Sequence, residues 1–240
     1  MDHQWPQQLD ETIEAHAEEM AALRRRLHAN PEPSGQEFET SLHIYQLLSD
    51  RQFSVQMGPE GRGVIADLRV SDIPPRVAFR ADIDALNIQD CKNVPYRSRR
   101  PGVMHACGHD AHTAIVYTAL IAIEELAAAA KLPWPVPLRG IFEPSEETAT
   151  GAREMIAAGA LEQIEAIFAA HVDPHRVAGR IGLKPGILTA NCDAMRMIVN
   201  GRGGHAARPH ESKDPIAAAA QLISTLYLFG LLVLCGKASY

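Results

Sequence analysis

The stretch LRGIFEPSEETATGAREMIAAGALEQIEAIFAA, residues 138–170, decides the fold class. It opens on a short apolar run, Leu138–Phe142, followed by Pro144. Gly151–Ala160 then carries a helical pattern that stops at Gly159, and Ala166–Ala170 is a second short apolar run. Short apolar runs bounded by turn residues are strands, and a helix between two of them marks a strand–helix–strand unit. The same order extends upstream. Val64–Leu68 and Val77–Phe79 are strand candidates, and Ala111–Ala130, uncharged until Glu124, suits a buried helix. The alternation predicts an α/β fold with a mostly parallel sheet and helices on both faces.

At the N-terminal end, Ile13, Ala17, Met20, Leu23 and Leu27 recur at helical spacing and predict one amphipathic helix over 9–28, ended by Asn30-Pro31. Ser34, with Glu37 three residues later, has the form of a capping box for a second helix carrying Phe38, Leu42, Tyr45 and Leu48. Composition shifts near residue 175. Two β-like runs, Gly179–Leu183 and Ala194–Asn200, then Gly201-Arg-Gly-Gly204 and a helix from Asp214, predict the start of a smaller second domain. Residues 216–236 hold no charge. Their length admits a membrane span, but Gln221, Ser224, Thr225 and Gly230 favour a buried helix followed by an abnormal apolar tail.

The chain has 240 residues and is 46% hydrophobic, enough to bury a core. Its net charge of −6 argues against nucleic acid or an anionic membrane as partner. Cys91, Cys107, Cys192 and Cys235 form no CxxC pair or framework spacing, and free thiols suit a reducing compartment. The acidic N-terminus lacks the apolar stretch of a secretory signal. A cytoplasmic location is expected.

Four groups carry chemistry. In Met104-His-Ala-Cys-Gly-His-Asp-Ala-His112, Cys107 and His109 stand two apart and can point the same way. Thiolate with imidazole suits zinc, and imidazole also suits manganese. The competing reading is a helix-entry loop in which Asp110 is a cap. In Glu143-Pro-Ser-Glu-Glu147, Glu146 and Glu147 can face opposite sides, one toward a metal and one free to carry a proton; an acidic helix start is the alternative. His171 follows the strand at 166–170, and Asp82 and Asp84 follow the one at 77–79. Sites in open α/β sheets collect at carboxyl ends of strands, and these ends together fit a two-metal hydrolytic site. Last, the turn at 201–204 presents His205 beside Arg208, suited to an oxyanion or a substrate carboxylate, or else forming a plain loop.

RADIDAL (80–86), MHACGHDAHTA (104–114), EPSEE (143–147) with GAREMIAAGAL (151–161), AHVDP (170–174), and GRGGHAARPH (201–210) with DPIAAAAQLI (214–223) occur in this order. Together they resemble the M20 metallopeptidases, in particular the M20D amidohydrolases, which include N-acyl-amino-acid amidohydrolases, hippurate hydrolases and auxin-conjugate hydrolases. The resemblance runs from Leu9 to Tyr227. It implies a catalytic α/β domain over 1–180, a partial lid or dimerisation domain over 181–227 and an aberrant tail over 228–240. It implies two divalent metal ions, zinc or manganese, held by Cys107, His109, Glu147 and His171. Glu146 is then the general acid/base, Asp84 orients a ligand, and His205 polarises the substrate carbonyl. The implied substrate is an N-acyl amino acid, and intact relatives form homodimers.

The sequence departs from the family pattern at Asn87, where Pro is usual, and at Thr148-Ala-Thr150, where a glycine run is usual. The resemblance also implies a further histidine ligand beyond the lid, and no His follows His210. A C-terminally truncated, weakly active enzyme with an incomplete second metal site is the expectation. The alternative is a non-catalytic remnant or dimerisation module.

Overall fold

The computed structural model describes residues 4–69, 73–188 and 197–237, with side chains to residue 228. It forms two units, Met1–Ala178 and Gly179–Tyr240.

The first unit is built on five strands: β1 (Phe53–Met57), β2 (Val64–Leu68), β3 (Val77–Asp82), β4 (Leu138–Glu143) and β5 (Ala166–Ala169), in spatial order β1-β2-β4-β3-β5. The helices are α1 (Trp5–Ala15), α2 (Ala17–Ala29), α3 (Phe38–Ser49), α4 (His109–Ala128) and α5 (Gly151–Ala157). The α/β class holds. β3 pairs in parallel with both β4 and β5, whereas β2 is antiparallel to both β1 and β4. Connection length explains the split. A short turn joins β1 to β2, while parallel neighbours need a long crossover, here through α4 and then α5.

The pleat sends alternate side chains to opposite faces. Val64, Ala66 and Leu68 join Leu138 and Phe142 under α2, α3 and α4 in the main core, with Ile44, Leu48, Leu120 and Ile121. Ile65, Ala78 and Ile141 face the other way and pack with Met155 of α5 and Ala160. Helices therefore lie on both faces. α4 sits close over β4: a Cβ added at Gly140 would lie 2.5 Å from Leu120 Cδ1. α4 is also the one described helix long and apolar enough to cross a membrane, and most of its apolar window is buried in this core.

Three local expectations need correction. The helix expected over 9–28 is two helices, broken at His16, whose ring bonds both Glu19 and Glu125 of α4 at 2.9 Å. Ser34 and Glu37 make no capping box, and α3 has no side-chain cap; both residues are committed to tertiary bonds described below. β1 is not anticipated, although Phe53, Val55 and Met57 alternate with Ser54 and Gln56 at the period of a strand.

In the second unit, α6 (Pro215–Lys237) is capped by Asp214, whose Oδ1 accepts the N–H groups of Ile216 and Ala217 at 2.9 and 3.2 Å. Its backbone passes residue 228 without a break. Arg202 and Lys213 exchange both backbone hydrogen bonds and close the loop between them. The strand expected at Gly179–Leu183 does not form, and 197–200 is not strand either, while 194–196 lies outside the described residues. A β-like run without a partner leaves its backbone groups unpaired, so the pattern alone does not make a strand.

Candidate metal centre

Three parallel strands, β3, β4 and β5, end on the same side of the sheet. Asp82 ends β3 beside Glu143 of β4. The chain then delivers Asp84, the Glu146–Glu147 pair and His171 from these ends, while α4 starts at His109.

His109 is 1% exposed. Its Nδ1–H donates to Asp84, to the backbone carbonyl at 2.9 Å and to Oδ1 at 3.1 Å. That leaves Nε2 with a lone pair and no hydrogen-bond partner, although it is buried. Around it stand Glu147 Oε1 at 3.7 Å, Glu146 Oε2 at 3.8 Å and Asp82 Oδ1 at 3.8 Å. Ligand atoms of Cys107, His109 and Glu147 lie within 4.8 Å of one another. Cys107 Sγ is 3.4 Å from His171 Nε2, and His171 spends its Nδ1–H on the Val172 carbonyl at 2.7 Å. A buried nitrogen without a partner, facing carboxylates, a thiol and a second imidazole, fits a divalent cation: each donor is one that zinc accepts.

The electrostatics agree. Burial raises the Cys107 thiol pKa, and the charges of Glu147, Asp82 and Glu146 take it further, to about 12. Burial raises Glu146 as well, with Asp82 and Glu147 adding to it. At His109 burial acts downward, but the Asp84 hydrogen bond and the charges of Asp82 and Glu147 outweigh it, and the pKa rises. Thiol, carboxyl and imidazole all hold protons more tightly. Burial and surplus negative charge act together on the thiol and carboxyl, and the negative charge prevails over burial at the imidazole; a dication would oppose the charge effect.

Asp84 is the organiser. Besides His109, it accepts Ser34 Oγ–H at 2.6 Å and the Glu147 N–H at 3.1 Å. Burial alone would raise its pKa; these bonds bring it below the ordinary value. Glu37 plays the matching part for the acidic loop. Fully buried, it accepts the Ser145 N–H at 2.7 Å, and Arg62 donates to Ser145 Oγ at 3.1 Å. Ser145 has φ +53, so this network holds an uncommon conformation just before Glu146. Arg80 joins Asp82 and Glu143, each at 2.7 Å. Ser34 and Glu37 carry only the signal of a capping box that does not form, and Arg62 carries none, because all three act by tertiary contact.

Asp110 is not a helix cap. Its Oδ2 accepts His28 Nδ1–H and Arg24 Nε–H at 2.7 and 2.8 Å, which ties α2 to α4. His205 lies in the second unit, exposed, its Nδ1 accepting the Ala207 N–H at 3.2 Å. Arg208 is 3.6 Å from Glu211.

The family model for peptidase family M20/M25/M40 matches residues 78–235. The chain belongs to that family. An N-acetylcysteine deacetylase of Bacillus subtilis is 43% identical over 85% of the chain and 53% of that protein. An Arabidopsis thaliana IAA-amino acid hydrolase (ILR1-like 5) is 38% identical over 86% of the chain and 46% of that protein. Among solved structures, a dinuclear metal binding peptidase of family M20 from Bacillus subtilis superposes with TM-score 0.66 at 40% identity, covering 72% of the chain and 48% of its own. An aminohydrolase from Staphylococcus aureus gives TM-score 0.75 at 30% identity over 92% and 56%. The chain thus spans about half the length of these relatives.

Proposed function

We propose that this M20 chain is a metal-dependent amidohydrolase that cleaves the amide joining an acyl group to an amino acid. The observation that carries the reading is the buried, partnerless His109 Nε2 facing Glu146, Glu147 and Asp82. The substrate class is supported by the names of two relatives, one a deacetylase of N-acetylcysteine and the other a hydrolase of IAA-amino acids.

Cys107, His109, Glu147 and His171 would hold two divalent ions, zinc or manganese. When bound, the ions supply Lewis acidity that acidifies a water and polarises the scissile carbonyl. Among the described residues no side-chain hydrogen bond ties Glu146 down, and its pKa is raised, so it can take a proton from the attacking water and hand it to the leaving nitrogen. Asp84 keeps His109 in the tautomer with Nε2 free. His205 is read as the donor to the carbonyl oxygen. A pairing of two copies, and a cytoplasmic setting, belong to the same reading.

The test uses a panel of N-acetyl, benzoyl and indole-acyl amino acids with ninhydrin detection, alongside elemental analysis of the purified chain. Glu146→Gln should lower turnover by about 10²–10⁴-fold or more while sparing metal content. Turnover retained in that variant overturns the role of Glu146. The second reading is a non-catalytic remnant or dimerisation module of the family. Metal binding without hydrolysis of any panel member would support it.

A further inference from the structure

We propose that His112 is a positioning residue: with Asp82 it forms a carboxylate–imidazole clamp on the Val172 N–H that sets where His171 meets Cys107. The inference rests on the metal-site reading of Cys107 and His171.

His112 lies among the candidate ligands. Its ring centroid is 4.5 Å from that of His171 and 5.5 Å from that of His109, and ligand atoms of Asp82, His109 and His112 fall within 4.8 Å of one another. Distance alone would admit it as a ligand. Its hydrogen bonds exclude it. A neutral imidazole has one N–H and one lone pair. Nδ1 stands 2.7 Å from Asp82 Oδ1, and an ionised carboxylate only accepts, so the proton is on Nδ1. The lone pair on Nε2 then accepts the Val172 N–H at 2.9 Å. Nothing remains for a cation. His109 and His171 differ in this respect, since each spends Nδ1–H on an oxygen and keeps its Nε2 lone pair for the site.

His171 needs such a clamp. It follows β5, an edge strand of the described sheet whose four residues are all exposed, and the ladder with β3 ends at Ala169. Beyond Ala169, the chain is met by the entry to α4. Val172 packs against Gly108 so closely that a Cβ there would lie 2.4 Å from Val172 Cγ2, and Gly108 has φ +90, which glycine adopts without strain. His112 grips the backbone of the same residue. Both contacts come from the segment that carries Cys107 and His109. The entry and first turn of α4 therefore supply two candidate ligands and fix another.

The clamp can be cut in halves. In His112→Gln the side-chain oxygen reaches the region of Nε2 and can still accept the Val172 N–H. In His112→Asn the amide reaches only the Nδ1 side, so Asp82 keeps its partner and Val172 loses its own. The measurement is Co²⁺ titration of the 240-residue chain, followed by the Cys107 thiolate-to-cobalt charge-transfer band, in wild type and both variants, each with and without His171→Ala. His112→Asn should weaken Co²⁺ binding by about 10–100-fold, the usual effect of losing a partner that orients a ligand, and His112→Gln should restore most of it. In the His171→Ala background, His112→Asn should add nothing. Equal losses in both variants that persist without His171 would make His112 a ligand and overturn the proposal, as would no loss in either. Hydrogen exchange of the Val172 amide in the metal-free chain gives an independent answer: protected in wild type and His112→Gln, unprotected in His112→Asn. Should wild type bind no Co²⁺, the metal reading fails, and Val172 exchange alone upholds or refutes the clamp. If His112→Asn does not fold, Val172→Pro removes the donor from the exposed side of the same bond and should reproduce its loss of Co²⁺ affinity.

Discussion

The two imidazoles that face the candidate site are held in contrasting ways. His109 opens α4, the helix laid over the buried face of the sheet, and its ring is locked by Asp84 inside the core. His171 follows β5, where Ile167 and Phe168 are 50% and 58% exposed and no strand pairs on the outer side among the described residues. One position is built by packing, the other by a few directed hydrogen bonds. The contrast shows that a site can draw its rigidity unevenly from the fold. Substitutions in the core should act on stability, and substitutions at the β5 end on the geometry of a candidate ligand.

The sharpest way to break this comparison is to remove side chains from each face. Leu120 is fully buried between α4 and β4, and Leu120→Ala should cost about 2–5 kcal/mol in denaturant unfolding. Phe168→Ala removes a larger but mostly exposed ring and should cost less than about 1 kcal/mol. Similar losses at the two positions would mean that β5 is as well packed as the core. The next effect lies at the organiser of the buried half. Asp84→Asn keeps the shape but removes the negative charge that orients His109, and leaves one acceptor oxygen where two now serve His109, Ser34 and the Glu147 amide. Metal affinity should drop about 10–100-fold by calorimetric titration, while Ser34→Ala, which removes only one neutral donor, should do less. The reverse ranking would place the positioning in Ser34 instead.

The smallest expected effect concerns pH at the α1–α2 break. Burial pulls the His16 pKa down, yet its bonds to Glu19 and Glu125 outweigh that and leave it raised above 6.5. A raised folded-state value means that His16 stabilises fully below the unfolded pKa, and that this contribution is lost as pH rises through the folded value. The difference in Tm between wild type and His16→Ala should therefore be widest near pH 5–6 and narrow toward pH 8. Because Glu19 and Glu125 are 43% exposed and screened by solvent, the whole effect should stay below about 1 kcal/mol. A gap that widens with pH would reverse the sign of this coupling.

Local pattern was enough for the parts whose cause is local. The apolar runs placed β2, β4 and β5 to within a residue and β3 to its first half, because burial on a pleated sheet imposes its composition on a short segment. The spacing of Cys107 and His109 and the strand-end positions of Glu146, Glu147 and His171, the candidate site residues, were legible for a similar reason: sites in open α/β sheets collect where strands stop. The family resemblance, carried by motifs spread from residue 80 to residue 223, added the order of parts. What the sequence left open was every relation between distant segments. Ser34 and Glu37 have the spacing of a capping box, but Asp84 and Ser145, distant in the chain and adjacent in space, claim both side chains. Asp110 has the position of a cap and instead binds His28 and Arg24 of α2. His112 reads as one more metal-capable residue, and only its two hydrogen-bond partners, from β3 and from the segment after β5, give it another role. Residue type and spacing determine what a side chain is able to bind. Which of those bonds it makes depends on the group that folding brings within about 3 Å, and that is fixed by the tertiary structure.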